Sequence, residues 1–459
     1  MKAKVFILIT VSLFPQTIRG GDNTYDPTTL VFPPFSHTWG LRKANKYHLF
    51  LYMGNRVKCK DPQGLVVVRL DSWDDPNDEA DDDEVTAYGV NSGQNNIIYN
   101  TSMYTLAVYG LEERGERALN YPRGITANSR GDVYVADTGN HRVVRLFNPA
   151  RKLQYVGSIG KEGSAAGEFI SPHGVALDSQ GNLYVTDSGN DRVQVFDPEG
   201  KFLRAFGRPG KEAGQFIHPD GIAVTDAGEK WSYYHDSFIV VVDLDHTRIQ
   251  KFSLDGKFLG FTTAEEIGYA DAHFAYLAID YYSNIYVTDM INHCIHKFDR
   301  YLNYLTSFGR KGHGDKEFIE PRGIAIYRRF GQVFVIEKES AQYYWVGTDI
   351  LNPSVNYEKG HLKIDYFLTE PSFVSIDILH GRTNKIMQNV TKKAFRFSGR
   401  RTEFLSEGAI SSSRHRNRYP NRSRKLSPGR YRVRVKIEPT YSSYHYFSKT
   451  IEKEIEIAK

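Results

Sequence analysis

The strongest constraint on the fold of this chain is an internal repeat of about fifty residues. Residues 121–146 read YPRGITANSRGDVYVADTGNHRVVRL, and residues 171–196 read SPHGVALDSQGNLYVTDSGNDRVQVF. Proline, aspartate, asparagine and arginine recur 50 residues apart in the two segments, as Pro122 and Pro172 do. A repeat of this length is typical of architectures that copy one small unit around an axis or along a stack.

Three further copies follow, at residues 218–252, 275–298 and 320–337. Each copy holds four short β-type runs, exemplified by PHGVA, NLYVTD, RVQVF and FLRAFG. Four strands per unit, at a period of 46 to 56 residues, predict the blades of a β-propeller. The aromatic content of 13% and the 39 glycines fit many short strands joined by tight turns.

The D-x-x-N-H-R turn gives these copies a family resemblance. It occurs at residues 137–142, at residues 187–192 with Asp191 replacing His, and in degraded form at residues 289–294. The chain resembles NHL-repeat proteins, which implies an all-β, six-bladed, TolB-like propeller over residues 45–352. The sixth blade is expected from GLVVVRL, NIIY and YTLAVYG in residues 64–110. Structural roles are expected for Asp137, Asp187, Asp289, Arg142 and Arg192, because turn aspartates accept backbone N–H groups and arginine pairs with them.

Residues 356–459 show a different pattern. HLKIDYFLTE, FVSIDILHG and RYRVRVKIE alternate apolar and polar residues and are separated by turn signals, which predicts a β-sandwich. The segment resembles the immunoglobulin-like domain of flagellar hook-cap proteins through Tyr366–Leu368, Val374–Ile378, Gly381 and Pro428–Val435. That resemblance implies an adhesive or structural appendage.

Charge divides the chain in the same place. Residues 1–354 carry 37 Lys+Arg and 44 Asp+Glu, whereas residues 355–459 carry 22 and 10. The net charge of +5 therefore describes neither half, and two domains with different partners are expected.

The first 20 residues predict a secretory signal. Lys2 and Lys4 precede the ten-residue apolar run VFILITVSLF, which is too short to span a bilayer. A periplasmic, cell-surface or extracellular location is expected, with no transmembrane segment. Export permits disulfides, and Cys59 and Cys294 either pair or remain as small buried residues.

The residue after the inner-strand proline is expected at one mouth of the propeller channel. These residues are Arg123, His173, Asp220 and Arg322, with Ala275 in the remaining repeat. Convergent charges at a mouth favour either a ligand site, in which two arginines bind a carboxylate or phosphate, or an internal ring of salt bridges.

One NHL-like relative, the peptide-amidating lyase, implies a further alternative, because three histidines hold its zinc at Pro-His positions of this kind. In this chain only His173 matches that pattern. Since catalytic zinc needs three protein ligands, the sequence does not supply the lyase site. No cofactor is predicted, with calcium or zinc as the alternatives.

Two charged segments offer weaker sites. Residues 71–84 contain nine acidic residues, and Asp81, Asp82 and Asp83 are the candidate calcium ligands among them. A solvated insertion without a metal is the simpler interpretation. Residues 411–425 contain a basic patch that could bind an anionic cell surface or nucleic acid, and the alternative is a polar hairpin loop without a ligand. The members of the patch are Arg414, Arg416, Arg418, Arg422, Arg424 and Lys425.

The insertion in the third copy places Trp231, Tyr233 and Tyr234 at an expected loop tip, where aromatic side chains suit contact with sugar or protein. The common catalytic motifs are absent from the sequence. We therefore expect an exported, non-catalytic binding or scaffold protein that takes a protein or glycan ligand at the propeller face or channel mouth. The alternatives are a propeller hydrolase or lyase that uses His173, and nucleic-acid binding through the basic patch.

Overall fold

A computed structural model describes residues 17–19, 26–33, 42–72, 85–102, 105–149, 152–243, 247–358, 360–406, 426–443 and 445–457. The chain divides into two compact units. One is His37–Trp345, and the other combines Val346–Lys459 with the described residues that precede position 36. Nearly all regular elements are β-strands, so the predicted all-β class is confirmed.

Among the described residues, three short strands and one helix precede the first blade in the sequence. They are β1 (Thr17–Arg19), β2 (Leu30–Val31), β3 (Lys43–Asn45) and α1 (Lys46–Met53). Helix α1 begins with a capping box, in which the Asn45 side chain accepts hydrogen bonds from the backbone N–H groups of Tyr47 and His48. It ends at Gly54, whose φ of 65° suits glycine. No helix in the described ranges has the length and apolar content needed to cross a membrane.

Six antiparallel sheets make up the unit His37–Trp345, and five of them are four consecutive strands. Blade 1 is the N-terminal stretch, and blades 2 to 6 are the five repeats. In chain order the strands are β4 (Pro62–Arg69), β5 (Val85–Asn91), β6 (Asn96–Ser102) and β7 (Thr105–Tyr109); β8 (Ile125–Ala127), β9 (Asp132–Asp137), β10 (Arg142–Phe147) and β11 (Gln154–Ile159); β12 (Pro172–Leu177), β13 (Leu183–Asp187), β14 (Arg192–Phe196) and β15 (Phe202–Phe206); β16 (Pro219–Thr225), β17 (Phe238–Asp243), β18 (Arg248–Phe252) and β19 (Phe258–Thr263); β20 (Phe274–Ile279), β21 (Ile285–Asp289), β22 (Cys294–Phe298) and β23 (Tyr304–Phe308); β24 (Pro321–Tyr327), β25 (Gln332–Glu337) and β26 (Ser340–Val346).

Blade 6 obtains its outer strand from the start of the propeller. The fifth repeat supplies only β24, β25 and β26, and β3 pairs antiparallel with β26 through Lys43, Ala44 and Asn45. The inner strands of blades 6 and 1 are neighbours, since the Arg322 guanidinium donates to the carbonyl oxygen of Pro62 at 3.2 Å. The six sheets therefore form a closed ring, and the first and last segments of the propeller share one blade.

The turn after the second strand of a blade is built by the repeat residues. The Asp137 carboxylate accepts the Asn120 backbone N–H at 2.6 Å and the Asn140 side chain at 2.8 Å. It also accepts the Arg142 Nε–H at 2.8 Å. Asp187 and Arg192 repeat this ion pair in blade 3 at 2.8 Å. The turn includes a short 3-10 helix, Thr138–Asn140 in blade 2 and Ser188–Asn190 in blade 3.

Apolar side chains of adjacent blades pack between the sheets. The core between blades 2 and 3 joins Tyr134 and Val143 to Val185 and Phe196, all nearly inaccessible to solvent. Strands β9, β13, β17 and β21 are buried along almost their whole length, because sheets cover them on both faces. This packing fixes the inner strands whose ends form the channel mouths.

The C-terminal unit contains two sheets that share one hydrophobic core. Its strands are β27 (Ile350–Glu358), β28 (His361–Leu368), β29 (Ser372–His380), β30 (Ile386–Arg396), β31 (Gly399–Ser406), β32 (Gly429–Pro439) and β33 (Ser448–Ile457). One sheet has the order β27-β28-β31, and the other has the order β1-β33-β32-β29-β30. Inward residues of both, such as Ile364 and Val433, are fully buried together. The unit is therefore a β-sandwich, and the alternating pattern of the sequence marks its buried face.

Candidate functional site

The starts of the inner strands approach one another closely around the channel. The Gly124 N–H donates to the His173 carbonyl oxygen at 2.8 Å, and the Gly64 N–H donates to the Arg123 carbonyl oxygen at 2.9 Å. A Cβ atom on Gly124 would lie 2.3 Å from the His173 oxygen. The glycine of the Pro-x-Gly run is therefore required, because only glycine lets neighbouring inner strands come this close.

This arrangement brings the four predicted mouth residues to one end of the channel, here called the N-terminal mouth and defined by Arg123, His173, Asp220 and Arg322. His173 Nδ1 lies 3.3 Å from Asp220 Oδ1. Arg322 forms an ion pair with Asp61 and a second one with Glu320 at 3.3 Å. Part of the mouth is thus a set of salt bridges between blades, which corresponds to one of the two alternatives for these residues.

Arg123 differs from Arg322, because it has no ion pair within 4.0 Å in the described part of the chain. Its guanidinium carbon lies 5.4 Å from the centroid of the Tyr121 ring. Burial alone would lower the pKa of Arg123, but the nearby Asp220 and Tyr276 outweigh that effect and raise it. The guanidinium is therefore charged and partly buried, and no described carboxylate forms an ion pair with it.

Each of the four residues also presents a buried polar atom without a hydrogen-bond partner among the described residues. These atoms are Arg123 Nε, His173 Nδ1, Asp220 Oδ1 and Arg322 Nε. The His173–Asp220 approach of 3.3 Å satisfies an ion-pair distance without the geometry of a hydrogen bond. Buried polar atoms in folded proteins are nearly always bonded to protein or to bound molecules. The N-terminal mouth therefore has unused hydrogen-bonding capacity.

The charges of the mouth hold its carboxylates in the ionised form. Burial would raise the pKa of Asp220, but the nearby His173 and Arg123 lower it. Burial likewise opposes ionisation of Asp61, whereas hydrogen bonds from Arg322 and Tyr121 lower its pKa. The mouth therefore combines fixed cations with fixed anions rather than one sign of charge.

Sequence reasoning missed three further members of the N-terminal mouth: Asp61, Gln63 and Tyr276. The Tyr276 hydroxyl donates to Gln63 Oε1 at 3.0 Å, and both side chains are buried. Tyr276 follows Ala275 where the other inner strands have glycine, as at Gly124 and Gly174. That departure from the repeat was the available signal, because a large side chain at the glycine position must occupy the channel.

The loop aromatics lie at and near the opposite end of the inner strands. Trp231 lines an open cavity of about 520 Å³, here called the C-terminal mouth, together with Arg130, Lys230, Arg328 and Arg329. Arg329 lies over the Trp231 ring, with its guanidinium carbon 5.3 Å from the centroid. Tyr233 and Tyr234 instead pack against blade 5, where their rings contact the Tyr282 ring with centroids 5.0 and 6.4 Å away.

One cluster in the described ranges has three potential metal ligands within 4.8 Å of one another: Asp289, Cys294 and His296. It lies inside blade 5, where Asp289 ends the second strand and Cys294 and His296 belong to the third. His296 Nε2 is 3.0 Å from Asp289 Oδ2, and His296 Nδ1 is 2.8 Å from Ser307 Oγ. In blade 3 the Cys294 and His296 positions hold Arg192 and Gln194, which bond Asp187. The imidazole therefore replaces the usual partners of the turn aspartate.

Other predicted sites fall elsewhere. Asp81, Asp82 and Asp83 lie outside the described residues, as does the basic patch Arg414, Arg416, Arg418, Arg422, Arg424 and Lys425. Cys59 and Cys294 are both free thiols.

Comparisons with known proteins agree with the blade structure. The NHL repeat family model matches residues 119–146 and 169–196, which are most of blades 2 and 3. Among proteins of curated function, no sequence matches significantly. Blades 2 and 3 of this β-propeller thus contain NHL repeats.

Similar solved structures include enzymes of low sequence identity. A streptogramin B lyase is 13% identical over 72% of this chain and 96% of its own, with a TM-score of 0.42. A gluconolactonase from Xanthomonas campestris is 11% identical over 70% and 98%, with a TM-score of 0.43. A virginiamycin B lyase from Staphylococcus aureus is 15% identical over 57% and 76%, with a TM-score of 0.40.

Proposed function

We propose that the protein is a non-catalytic binding module whose N-terminal mouth takes up a peptide segment of a protein ligand. The observation that supports this proposal is the set of four buried polar atoms at the mouth that lack hydrogen-bond partners. They include arginine donors and a carboxylate acceptor on four different blades. A ligand that forms hydrogen bonds with these atoms would therefore contact several blades at once.

The chemistry of the mouth favours an amide-bearing ligand over a simple anion. Arg123 and Arg322 offer N–H donors, and Asp220 offers an acceptor. Asp61, Asp220 and Glu320 balance the arginines, so a phosphate or carboxylate would meet repulsion as well as attraction. A peptide backbone carries a donor and an acceptor in every residue, which suits a mixed set of partners.

Arg123 is the best position for a test, because removing it breaks no ion pair among the described residues. We would select binders from a random peptide library on the full chain and measure their affinity for the Arg123→Gln variant by calorimetry. We expect the selected peptides to bind about tenfold more weakly or worse, since a desolvated charged donor is lost. Circular dichroism would verify that the variant folds.

The matched control is Trp231→Ala at the C-terminal mouth. Peptides held at the N-terminal mouth are expected to bind this variant as they bind the wild-type protein. Failure to select any peptide, or equal binding by Arg123→Gln, would argue against the proposal.

A second candidate ligand is a saccharide at the C-terminal mouth. The open cavity there is lined by Trp231, by the cations Arg130, Lys230, Arg328 and Arg329, and by the acidic residues Asp71, Asp178 and Glu229. An aromatic face suits stacking against a sugar ring, and arginines suit anionic substituents. Weaker retention of Trp231→Ala on an immobilised acidic polysaccharide, with Arg123→Gln retained normally, would identify this mode.

The proposal also covers the location of the protein in the cell and the role of the C-terminal unit. The basic and apolar start of the sequence supports export, to the periplasm, cell surface or exterior. The two-sheet core supports an immunoglobulin-like sandwich of the hook-cap type as an appendage for attachment. Fold alone does not define such a role. Secretion of a tagged full chain in a heterologous host would test export directly.

A further inference from the structure

Helix α1 exposes apolar side chains to an unusual degree. None of its eight residues is buried. Tyr47 is 62% exposed, Leu51 60%, Phe50 47% and Tyr52 43%. Tyr47, Phe50 and Leu51 have the i, i+3, i+4 spacing that places residues on one face of a helix. Surface helices of globular proteins normally present polar residues on such an outward face.

The other side of α1 lies over a small apolar cavity. His48, Leu49 and Tyr52 line this cavity of about 130 Å³ with residues of blades 1 and 6, among them Leu65 and Ile336. The helix is therefore seated on the junction where the ring closes. Its N-terminus is fixed by the Asn45 cap and by the strand β3 that precedes it. The outward apolar face is thus held in place rather than contained in a loose tail.

The segment that carries this face is basic, although Glu339 of blade 6 lines the cavity beneath the helix. Residues 42–60 contain Arg42, Lys43, Lys46, Arg56, Lys58 and Lys60 and no Asp or Glu, although residues 1–354 as a whole are net acidic. Lys43 pairs with Glu337 at 3.2 Å, and Arg56 pairs with Glu112 at 2.9 Å. Lys46, Lys58 and Lys60 are exposed and make no ion pair with the described residues. Three ammonium groups of the segment that carries the apolar face therefore remain available.

We propose that α1 and its flanking lysines dock on the surface of an anionic lipid bilayer. The face of Tyr47, Phe50 and Leu51 lies at the boundary of headgroups and acyl chains, and Lys46, Lys58 and Lys60 contact the lipid phosphates. Exposed apolar and aromatic side chains bind at the boundary of headgroups and acyl chains, and cations add to the attraction. A helix of eight residues supplies a small apolar area, so the binding is reversible.

Charge favours a bilayer over a second copy of this chain. In a symmetric dimer through α1, the same patch of each subunit would face its counterpart. The lysines of the two copies would then lie close together without an acidic residue from the segment 42–60 to neutralise them. An anionic surface meets the apolar and the basic requirements together.

Co-sedimentation of the full chain with phosphatidylcholine vesicles, with and without phosphatidylserine, tests the proposal. We expect binding only to vesicles that contain phosphatidylserine, and weaker binding at high salt because the charges are screened. The variant Tyr47→Ser/Phe50→Ser/Leu51→Ser is expected to bind at least tenfold more weakly. Lys46→Gln/Lys58→Gln is expected to lose about tenfold or more, since each lysine near such a surface contributes about fivefold.

Two control variants alter other parts of the protein surface. Leu259→Ser/Phe261→Ser removes residues that are 51% and 46% exposed on the outer strand of blade 4, and is expected to bind normally. Deletion of residues 411–425 is also expected to leave binding intact. The proposal is overturned if the full chain ignores anionic vesicles, if only the deletion abolishes binding, or if the apolar variant instead dissociates a dimer in size-exclusion chromatography.

Discussion

His173 Nδ1 lies 3.3 Å from Asp220 Oδ1, so the starts of the inner strands of blades 3 and 4 are joined by a pair of ionisable groups. Asp220 is 3% exposed and also lies in the field of Arg123. The pair therefore contributes to the cohesion of the ring and to the polarity of the N-terminal mouth.

Loss of the Asp220 carboxylate is expected to destabilise the propeller. Asp220→Ala removes the buried carboxylate that lies 3.3 Å from His173 Nδ1, and breaking a buried ion pair of this kind costs about 3 kcal/mol. Urea unfolding followed by circular dichroism measures the change in the free energy of unfolding. Glu116→Ala, at an exposed position, serves as the control and is expected to change it by less than about 0.5 kcal/mol. Equal stability of the two variants would contradict the expected role of Asp220.

Because the inner strands approach closely, replacing Gly124 by alanine is expected to cost much more stability than replacing Gly260. Gly124→Ala would place a Cβ 2.3 Å from a backbone oxygen, whereas a Cβ on Gly260 meets nothing within 4 Å. We expect Gly124→Ala to destabilise the protein by about 3 kcal/mol, because backbone must shift to relieve the overlap. Gly260→Ala, on the outer strand of blade 4, is expected to be neutral within about 0.5 kcal/mol. Thermal unfolding of both variants tests the difference, and a neutral Gly124→Ala would mean that the inner strands are farther apart.

Acid stability is expected to depend on the turn of blade 5. Burial opposes ionisation of Asp289, but hydrogen bonds from His296 and Asn292 lower its pKa to about 2. A carboxyl with a depressed folded-state pKa stabilises the protein above its unfolded value near 4 and loses that contribution as the pH falls towards 2. The contribution is about 2 kcal/mol.

Unfolding free energies measured at several pH values between 5 and 2 would test this prediction. The wild-type protein is expected to lose more stability over that range than Asp289→Asn, whose side chain does not titrate. Parallel pH profiles for the two proteins would be inconsistent with a depressed pKa at Asp289.

The two cysteines are expected to remain reduced and slow to react. Burial raises the pKa of Cys59 to about 11 and raises that of Cys294 further. Since the thiolate is the reactive form, both are expected to react slowly with Ellman's reagent near neutral pH. Cys59 is expected to react first, because it is half-buried whereas Cys294 is buried. Detection of fewer than two thiols in the denatured protein would show that they pair.

Much of the propeller could be predicted from the repeat, because the same residue types form the same strands and turns in each blade. Pro-x-Gly marks an inner strand, and Asp with Arg marks the following turn, as Asp187 and Arg192 show. The sequence did not predict β5, which directly follows the acidic segment 71–84 in blade 1. It also did not predict β3 as the outer strand of blade 6, because pairing between distant segments leaves no local pattern.

The N-terminal mouth was predictable in position but not in connectivity. The position after each inner-strand proline identified Arg123 and His173, whereas the partner of Arg322 proved to be Asp61 from the opposite end of the propeller sequence. Tyr276 was missed because it breaks the repeat instead of following it. A residue that departs from a repeat is informative when it is large and replaces glycine, since it must fill space that the other blades leave open.

The most direct test of the binding site is the ratio of peptide dissociation constants for Arg123→Gln and the wild-type full chain, measured with a peptide selected on the wild-type protein. If the N-terminal mouth holds the peptide, we expect a ratio of about ten or more for Arg123→Gln, and an unchanged dissociation constant for Trp231→Ala. A ratio near one for Arg123→Gln, accompanied by weaker binding to Trp231→Ala, would contradict it and assign the ligand to the C-terminal mouth.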